Sequence, residues 1–143
     1  MTDSRPDWRS QCPLNIALEI LGDKWTLLIL RDLMFKGFST YKQFQESGEK
    51  IATNILAVRL KKLMDQGIIA SKRSPTDARV ISYRPTAKGL DLLPTMVELI
   101  IWADRYEETA APPHIMQRIQ ENRNSFIADT RRRFESDEST SGG

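Results

Sequence analysis

A chain of 143 residues with 40% hydrophobic content carries enough apolar material for one domain with a real core plus terminal extensions, and it does not require a second domain. No apolar run reaches membrane-spanning length and Met1 to Arg9 is polar, so the sequence predicts a cytoplasmic protein with no membrane segment and no signal peptide. A single cysteine excludes an intramolecular disulfide framework, and a single histidine, without a metal-ligand cluster, phosphate loop or nucleophile elbow, argues against an enzyme and implies neither metal nor cofactor.

Residues 1–11 read as a polar arm whose one sizeable apolar side chain, Trp8, is expected to pack on a neighbour's surface. A first helix is predicted from Cys12-Pro13, because proline suits the first helical position, to Gly22, which suits the position just past the end. Leu14, Ala17, Leu18 and Leu21 form its apolar stripe. Asp23 can cap a second helix, Lys24 to Phe35, which is apolar nearly all round and should form the buried centre. A short helix, Thr40 to Glu46, capped by Ser39 or Thr40, ends at a break at Ser47-Gly48, and a longer helix follows from about Ala52 to Gln66. At 100° per residue this longer helix puts Ala52, Leu56, Leu60 and Leu63 on one side, and Asn54, Ala57, Val58, Lys61 and Lys62 towards the other. One face packs; the other can meet a partner.

Two β-runs, Ile68 to Arg73 and Arg79 to Tyr83, flank Pro75-Thr76-Asp77-Ala78, whose proline and aspartate are turn residues. Thr86 is a plausible cap for a long helix from Ala87 to about Glu108, within which Pro94 should introduce a kink. That helix has more apolar surface than one face of a small core needs. The surplus predicts a two-fold dimer seam using Leu14 and Leu18 of the first helix with Leu93, Met96, Val97, Ile100 and Ile101. Ala111-Pro112-Pro113 breaks the chain, His114 to Phe134 reads as a marginal helix that needs the dimer to hold it, and residues 135–143 should be disordered. The organisation expected is an arm (1–11), a helix-turn-helix, wing and dimerisation domain (12–108), a helical extension (109–134) and a tail (135–143). The fold class expected is mainly α with a small β-hairpin wing: helix, turn, helix, wing, with dimerisation helices at both ends.

Charge is segregated along this framework. Between Lys36 and Lys88 lie eleven cationic and four acidic side chains, so the middle of the chain is strongly basic although the whole carries only +2. Such segregation is the electrostatic footprint of phosphate binding, and here it coincides with the helix and the hairpin. A solvated polar face would carry similar residues. The short side chains of Thr53, Asn54, Ala57 and Val58 would let the helix sit deep in a major groove, where Asn54 can pair bidentately with adenine.

The run from Cys12 to Trp25, continued by Leu28 to Leu33, resembles the opening signature of HxlR-type winged helix-turn-helix regulators. The likeness persists through Leu56, Leu60, Leu63 and Gly67-Ile68-Ile69, then Arg79-Val80, Tyr83 to Gly89, Leu93-Pro94 and Trp102, covering about residues 12–106. It implies a homodimeric, MarR-like bacterial transcription factor, a repressor, with a recognition helix in the major groove of double-stranded DNA. It places Ala52, Thr53, Asn54, Ala57 and Val58 at the groove and Lys61, Lys72, Arg73 and Arg79 near phosphates, with Thr40 and Lys42 of the scaffold helix as further DNA contacts. A palindromic operator follows, with half-sites roughly 10 base pairs apart or a multiple of that. Ala57 and Val58 depart from the polar residues often found there, which bears on base specificity. A winged-helix protein-interaction module without DNA is the alternative.

Cys12 stands at the start of the first helix, where unpaired amides and the helix dipole favour a thiolate, and Arg9 is close in sequence. Some members of the resembled family sense oxidants or electrophiles through a cysteine at this place. Here a disulfide would have to join the Cys12 residues of two subunits, or Cys12 and a small thiol; a small-molecule effector is the other expected input. Trp25, Trp102, Phe35 and Phe38 are candidates for an aromatic ligand pocket near the dimer seam, but aromatics at helical spacing are more often core, and they are read as core aromatics.

Overall fold

The computed structural model describes residues 7–141, the last six of these for their backbone alone. Helix α1 (Pro13–Leu21) begins with its proline in the first turn and stops at Gly22, whose amide donates to the Leu18 carbonyl at 2.7 Å. A Cβ on Gly22 would lie 2.3 Å from that carbonyl oxygen, so the turn admits no side chain. The Asp23 carboxylate accepts the amides of Trp25 (2.9 Å) and Thr26 (3.0 Å) together with the Thr26 hydroxyl, which starts α2 (Thr26–Met34). Its Ile29, Leu30, Leu33 and Met34 are buried, as a helix apolar nearly all round requires.

Helix α3 (Tyr41–Gln45) opens with a capping box: Thr40 accepts the Gln43 amide, and the Gln43 side chain accepts the Thr40 amide. Helix α4 (Thr53–Asp65) follows the turn. Strands β1 (Ile69–Arg73) and β2 (Ile81–Pro85) pair antiparallel, Ile69 opposite Pro85 and Arg73 opposite Ile81. The second strand therefore starts two residues later than the β-run in the sequence. Arg79 and Val80 belong to the turn, because Asp77 accepts the Arg79 amide and Ser74 donates its amide to the Val80 carbonyl. The hairpin is tied to the entry of α3 by the Tyr83 amide, which donates to the Ser39 carbonyl at 2.7 Å.

The long helix expected from Ala87 is two helices, α5 (Ala87–Leu90) and α6 (Leu93–Tyr106). Pro94 does not kink a helix interior. It lies in the first turn of α6, where its missing N–H would have had no helical acceptor. Leu93, Met96 and Val97, expected on a seam between subunits, are enclosed by this chain's own side chains and have no surface to give a partner, while Ile100 and Ile101 are half-buried. The C-terminal segment likewise finds its support within the chain. Helices α7 (Pro113–Glu121) and α8 (Arg123–Ser141) break at Asn122, whose side chain accepts the Ser125 amide, and Met116, Ile119 and Phe126 pack with Val97 of α6.

The main core joins α2, α3, α4, β1, α5 and α6 through residues such as Leu30, Phe44, Leu56, Leu60, Ile68 and Leu93. Of the aromatics read as core, Phe35 and Phe38 pack at its edge, but Trp102 is 63% exposed. Trp8 is half-buried on its own chain. The arm before Asp7 lies outside the described residues, as do residues 142–143, whereas the backbone of residues 135–141, expected to be disordered, continues α8.

Candidate nucleic-acid interface

The two faces of α4 have opposite fates. Leu56, Leu60 and Leu63 lie in the core, whereas Thr53, Asn54, Ala57, Val58 and Lys61 are exposed, with Ala52 exposed just before them. The helix is positioned from α3: the Tyr41 hydroxyl donates to the Thr53 carbonyl at 2.7 Å, and Gln45 Nε2 donates to the Thr53 hydroxyl at 3.3 Å. Asn54 makes no hydrogen bond among the described residues, leaving both its donor and acceptor edges available. The break between α3 and α4 includes Ser47-Gly48, as expected, and its left-handed residue is Lys50, with φ +55°.

Only part of the basic excess faces outward. Arg59 Nε donates to Asp23 at 3.0 Å, Lys62 Nζ to the Glu19 carbonyl at 2.9 Å, and Lys88 Nζ to the Gln66 carbonyl at 2.6 Å. These three hold α4 against α1, the start of α2 and α5, so Lys62 does not extend towards a ligand on the open face as helical phase alone suggests. Counting charges could not separate them from the outward cations, because their acceptors lie far away in the sequence. Asp23 is the residue that sequence reasoning underrated. Partial burial raises its pKa, but the Thr26 hydroxyl, the Trp25 and Thr26 amides and Arg59 together outweigh that and hold it below the ordinary carboxylate value.

The outward set is divided between helix and wing. Lys42 on α3 and Lys72 on β1 are exposed with no ion-pair partner among the described residues. Lys61 is paired with Asp65 at 2.9 Å, one turn along α4, with both side chains in solvent. Arg73 Nη1 closes the wing turn on the Ala78 carbonyl at 2.7 Å. Arg79 lies across Asp77 with bonds of 3.1 and 3.2 Å, yet its side chain remains 90% exposed at the wing tip. Those bonds hold the Asp77 carboxyl below its ordinary value. Thr40 is committed to the capping box and is half-buried.

Cys12 is exposed and makes no capping bond. Arg9, its sequence neighbour, is turned to Asn15, donating to Oδ1 at 2.7 Å. Leu14 (68%) and Leu18 (57%) are exposed on α1, and Leu99, Trp102 and Tyr106 are exposed on α6. The last three recur at i, i+3 and i+7 and were legible as a stripe, although burial claimed most of the residues first assigned there. No group of three or more metal-ligating side chains comes together among the described residues, and no helix there is long and apolar enough to cross a membrane.

A family model described as HxlR-like helix-turn-helix matches residues 20–111. An HTH-type transcriptional regulator of Mycobacterium tuberculosis is 34% identical over 102 residues, which are 71% of this chain and 63% of that protein. One from Synechocystis is 31% identical over 88 residues, 62% of this chain and 64% of its own length. The match thus spans less than two thirds of either relative. The reduced form of the Bacillus subtilis transcriptional regulator YodB superposes with a TM-score of 0.56 at 31% identity, covering 69% of this chain and 97% of YodB.

Proposed function

The chain belongs to the HxlR-like helix-turn-helix family, and on that premise we propose that it is a sequence-specific DNA-binding transcriptional regulator that acts as a homodimer and represses. The observation that carries this reading is the exposed face of α4: short side chains and an unpartnered Asn54, on a helix held from behind by a leucine stripe and three inward cations. A rigid helix with a thin face enters a major groove, and Lys42, Lys61, Lys72, Arg73 and Arg79 supply charge on either side of it. The relatives' names support regulation as the outcome of binding.

Exposed Leu14 and Leu18, joined by Leu99, Trp102 and Tyr106, support a second copy as the partner, and a two-fold dimer reads a palindrome. Solvent access at Cys12 supports an oxidant or electrophile as one input. Two Cys12 thiols, one from each subunit, would lose two electrons and two protons to a peroxide-class oxidant and form one intersubunit disulfide.

Fluorescence anisotropy on the DNA upstream of the protein's own gene, against a random duplex and over a salt series, tests the reading. Selective binding that falls steeply with salt is expected. Asn54→Ala should weaken the preferred site by ~1 to 3 kcal/mol while leaving random DNA unchanged, and Arg79→Ala should weaken both alike. Salt-insensitive or absent binding would point to the protein-interaction alternative.

A further inference from the structure

Helices α7 and α8 lie wholly beyond the stretch matched to the family, and together with α2 and α6 they enclose a cavity of about 800 Å³ that is open on one side. Its size falls in the range of pockets for drug-sized ligands. The floor is apolar: Phe35 and Phe126 stack with ring centroids 6.0 Å apart, beside Ile115, Met116 and Ile119. The rim is ionic, with Arg31, Lys36, Arg118 and Arg133 against Glu49 and Asp129; Arg31 and Lys36 also pair with Asp32 behind it, and Arg133 donates to the Met34 carbonyl, which leaves Arg118 as the cation turned to the floor.

The two carboxylates are also shared. Asp129 meets Arg118 at 3.5 Å but is held more closely by Arg132 from its own helix, and Glu49 is taken by Arg31 at 2.8 Å. Arg118 stands 5.3 Å over the Phe126 ring, so a weakly neutralised cation overhangs the aromatic floor. An uncharged apolar molecule would use the floor and leave the cations idle; a small inorganic anion would use the rim and leave the floor wet. An amphipathic anion uses both.

We propose that this cavity binds a hydrophobic organic acid, its apolar body on Phe35, Met116 and Phe126 and its anionic group at Arg118, as an effector site built by the C-terminal helices. The site has a route to α4. Arg31 links the same rim to Glu49 in the turn ahead of α4 and also reaches Asp32 at 2.8 Å, so an anion at Arg118 whose charge also attracts Arg31 competes with Glu49 and loosens the turn that sets the pose of the helix. That coupling rests on the DNA-binding reading above; occupation of the cavity does not.

The test uses the full chain and two probes with the same ring system: 8-anilinonaphthalene-1-sulfonate, which is anionic, and N-phenyl-1-naphthylamine, which is not. The sulfonate should bind saturably, roughly tenfold or more tighter than the neutral probe. Arg118→Glu, on the exposed rim, should remove most of that advantage while changing neutral-probe affinity far less, and Ala111→Trp, which places an indole in the cavity, should weaken both. Equal affinity for the two probes, or sulfonate binding indifferent to Arg118→Glu, would overturn the proposal, the latter placing the probe on the exposed Leu99, Trp102, Tyr106 face. Circular dichroism confirms that each variant is folded, and Arg118→Glu decides the matter if Ala111→Trp is not. DNA affinity measured with and without saturating sulfonate then reads the coupling, so loss of all DNA binding would refute the regulator reading and leave the site standing.

Discussion

The molecule has two apolar clusters of unequal kind. The first gathers thirteen buried residues from six elements and leaves its central leucines almost without solvent contact; the second gathers four, Val97, Met116, Ile119 and Phe126, beneath an open cavity. Both are built from aliphatic side chains with methionine and phenylalanine, the first rich in leucine and the second without any. The difference is in size and in the open cavity beside the smaller one, and it separates a body that must hold α4 still from a region that can yield to a guest.

Three changes probe that separation. Leu60→Ala, in the centre of the larger cluster at 2% exposure, should cost about 3 to 4 kcal/mol, read as a lower denaturant midpoint with an unchanged slope. Asp23→Ala removes both the cap of α2 and the partner of Arg59, and should cost about 1 to 2 kcal/mol at neutral pH. Because the folded-state pKa of Asp23 lies below its unfolded value, its contribution is complete above about pH 4 and is lost as pH falls through the folded value. The stability gap between wild type and Asp23→Ala should therefore close in acid, and a gap constant with pH would remove the charge from the account. Phe126→Leu should cost only about 1 kcal/mol, and hydrogen exchange should quicken in α7 and α8 while α4 keeps its protection. Equal quickening in α4 would mean that the two clusters open as one unit, and the comparison would fail.

Much of the first cluster is legible in the sequence because its residues repeat at helical spacing and its boundaries carry their own chemistry: Pro13, Asp23, Thr40 and Thr86 each mark a helix start. The phase of Leu56, Leu60 and Leu63 also indicated which face of α4 would be left open. Less of the second cluster could be read. Its few apolar residues, scattered among charges from His114 to Phe134, give no stripe strong enough to say which neighbour they meet, and a dimer partner and the chain's own α6 are equivalent in sequence. Pro94 misled for a related reason, since its meaning depends on whether a helix starts before or at it. The inward turn of Arg59, Lys62 and Lys88 depends on acceptors distant in the chain, which no local pattern encodes.

The junction between α4 and α5 bears on how the molecule can move. A Cβ on Gly89 would lie 2.3 Å from the Ile68 carbonyl oxygen, the Thr86 amide donates to that same oxygen at 3.0 Å, and the Thr86 hydroxyl reaches the Gly67 carbonyl at 2.5 Å. With Lys88 fixed on Gln66, three consecutive carbonyls at the exit of α4 are gripped by two residues, Thr86 and Lys88. Such a joint has no slack. Since α5 runs on through two residues into α6, a tilt of α6 is delivered to α4 as a lever delivers a turn at its far arm, and a side chain placed at Gly89 would pry the joint apart without touching either end.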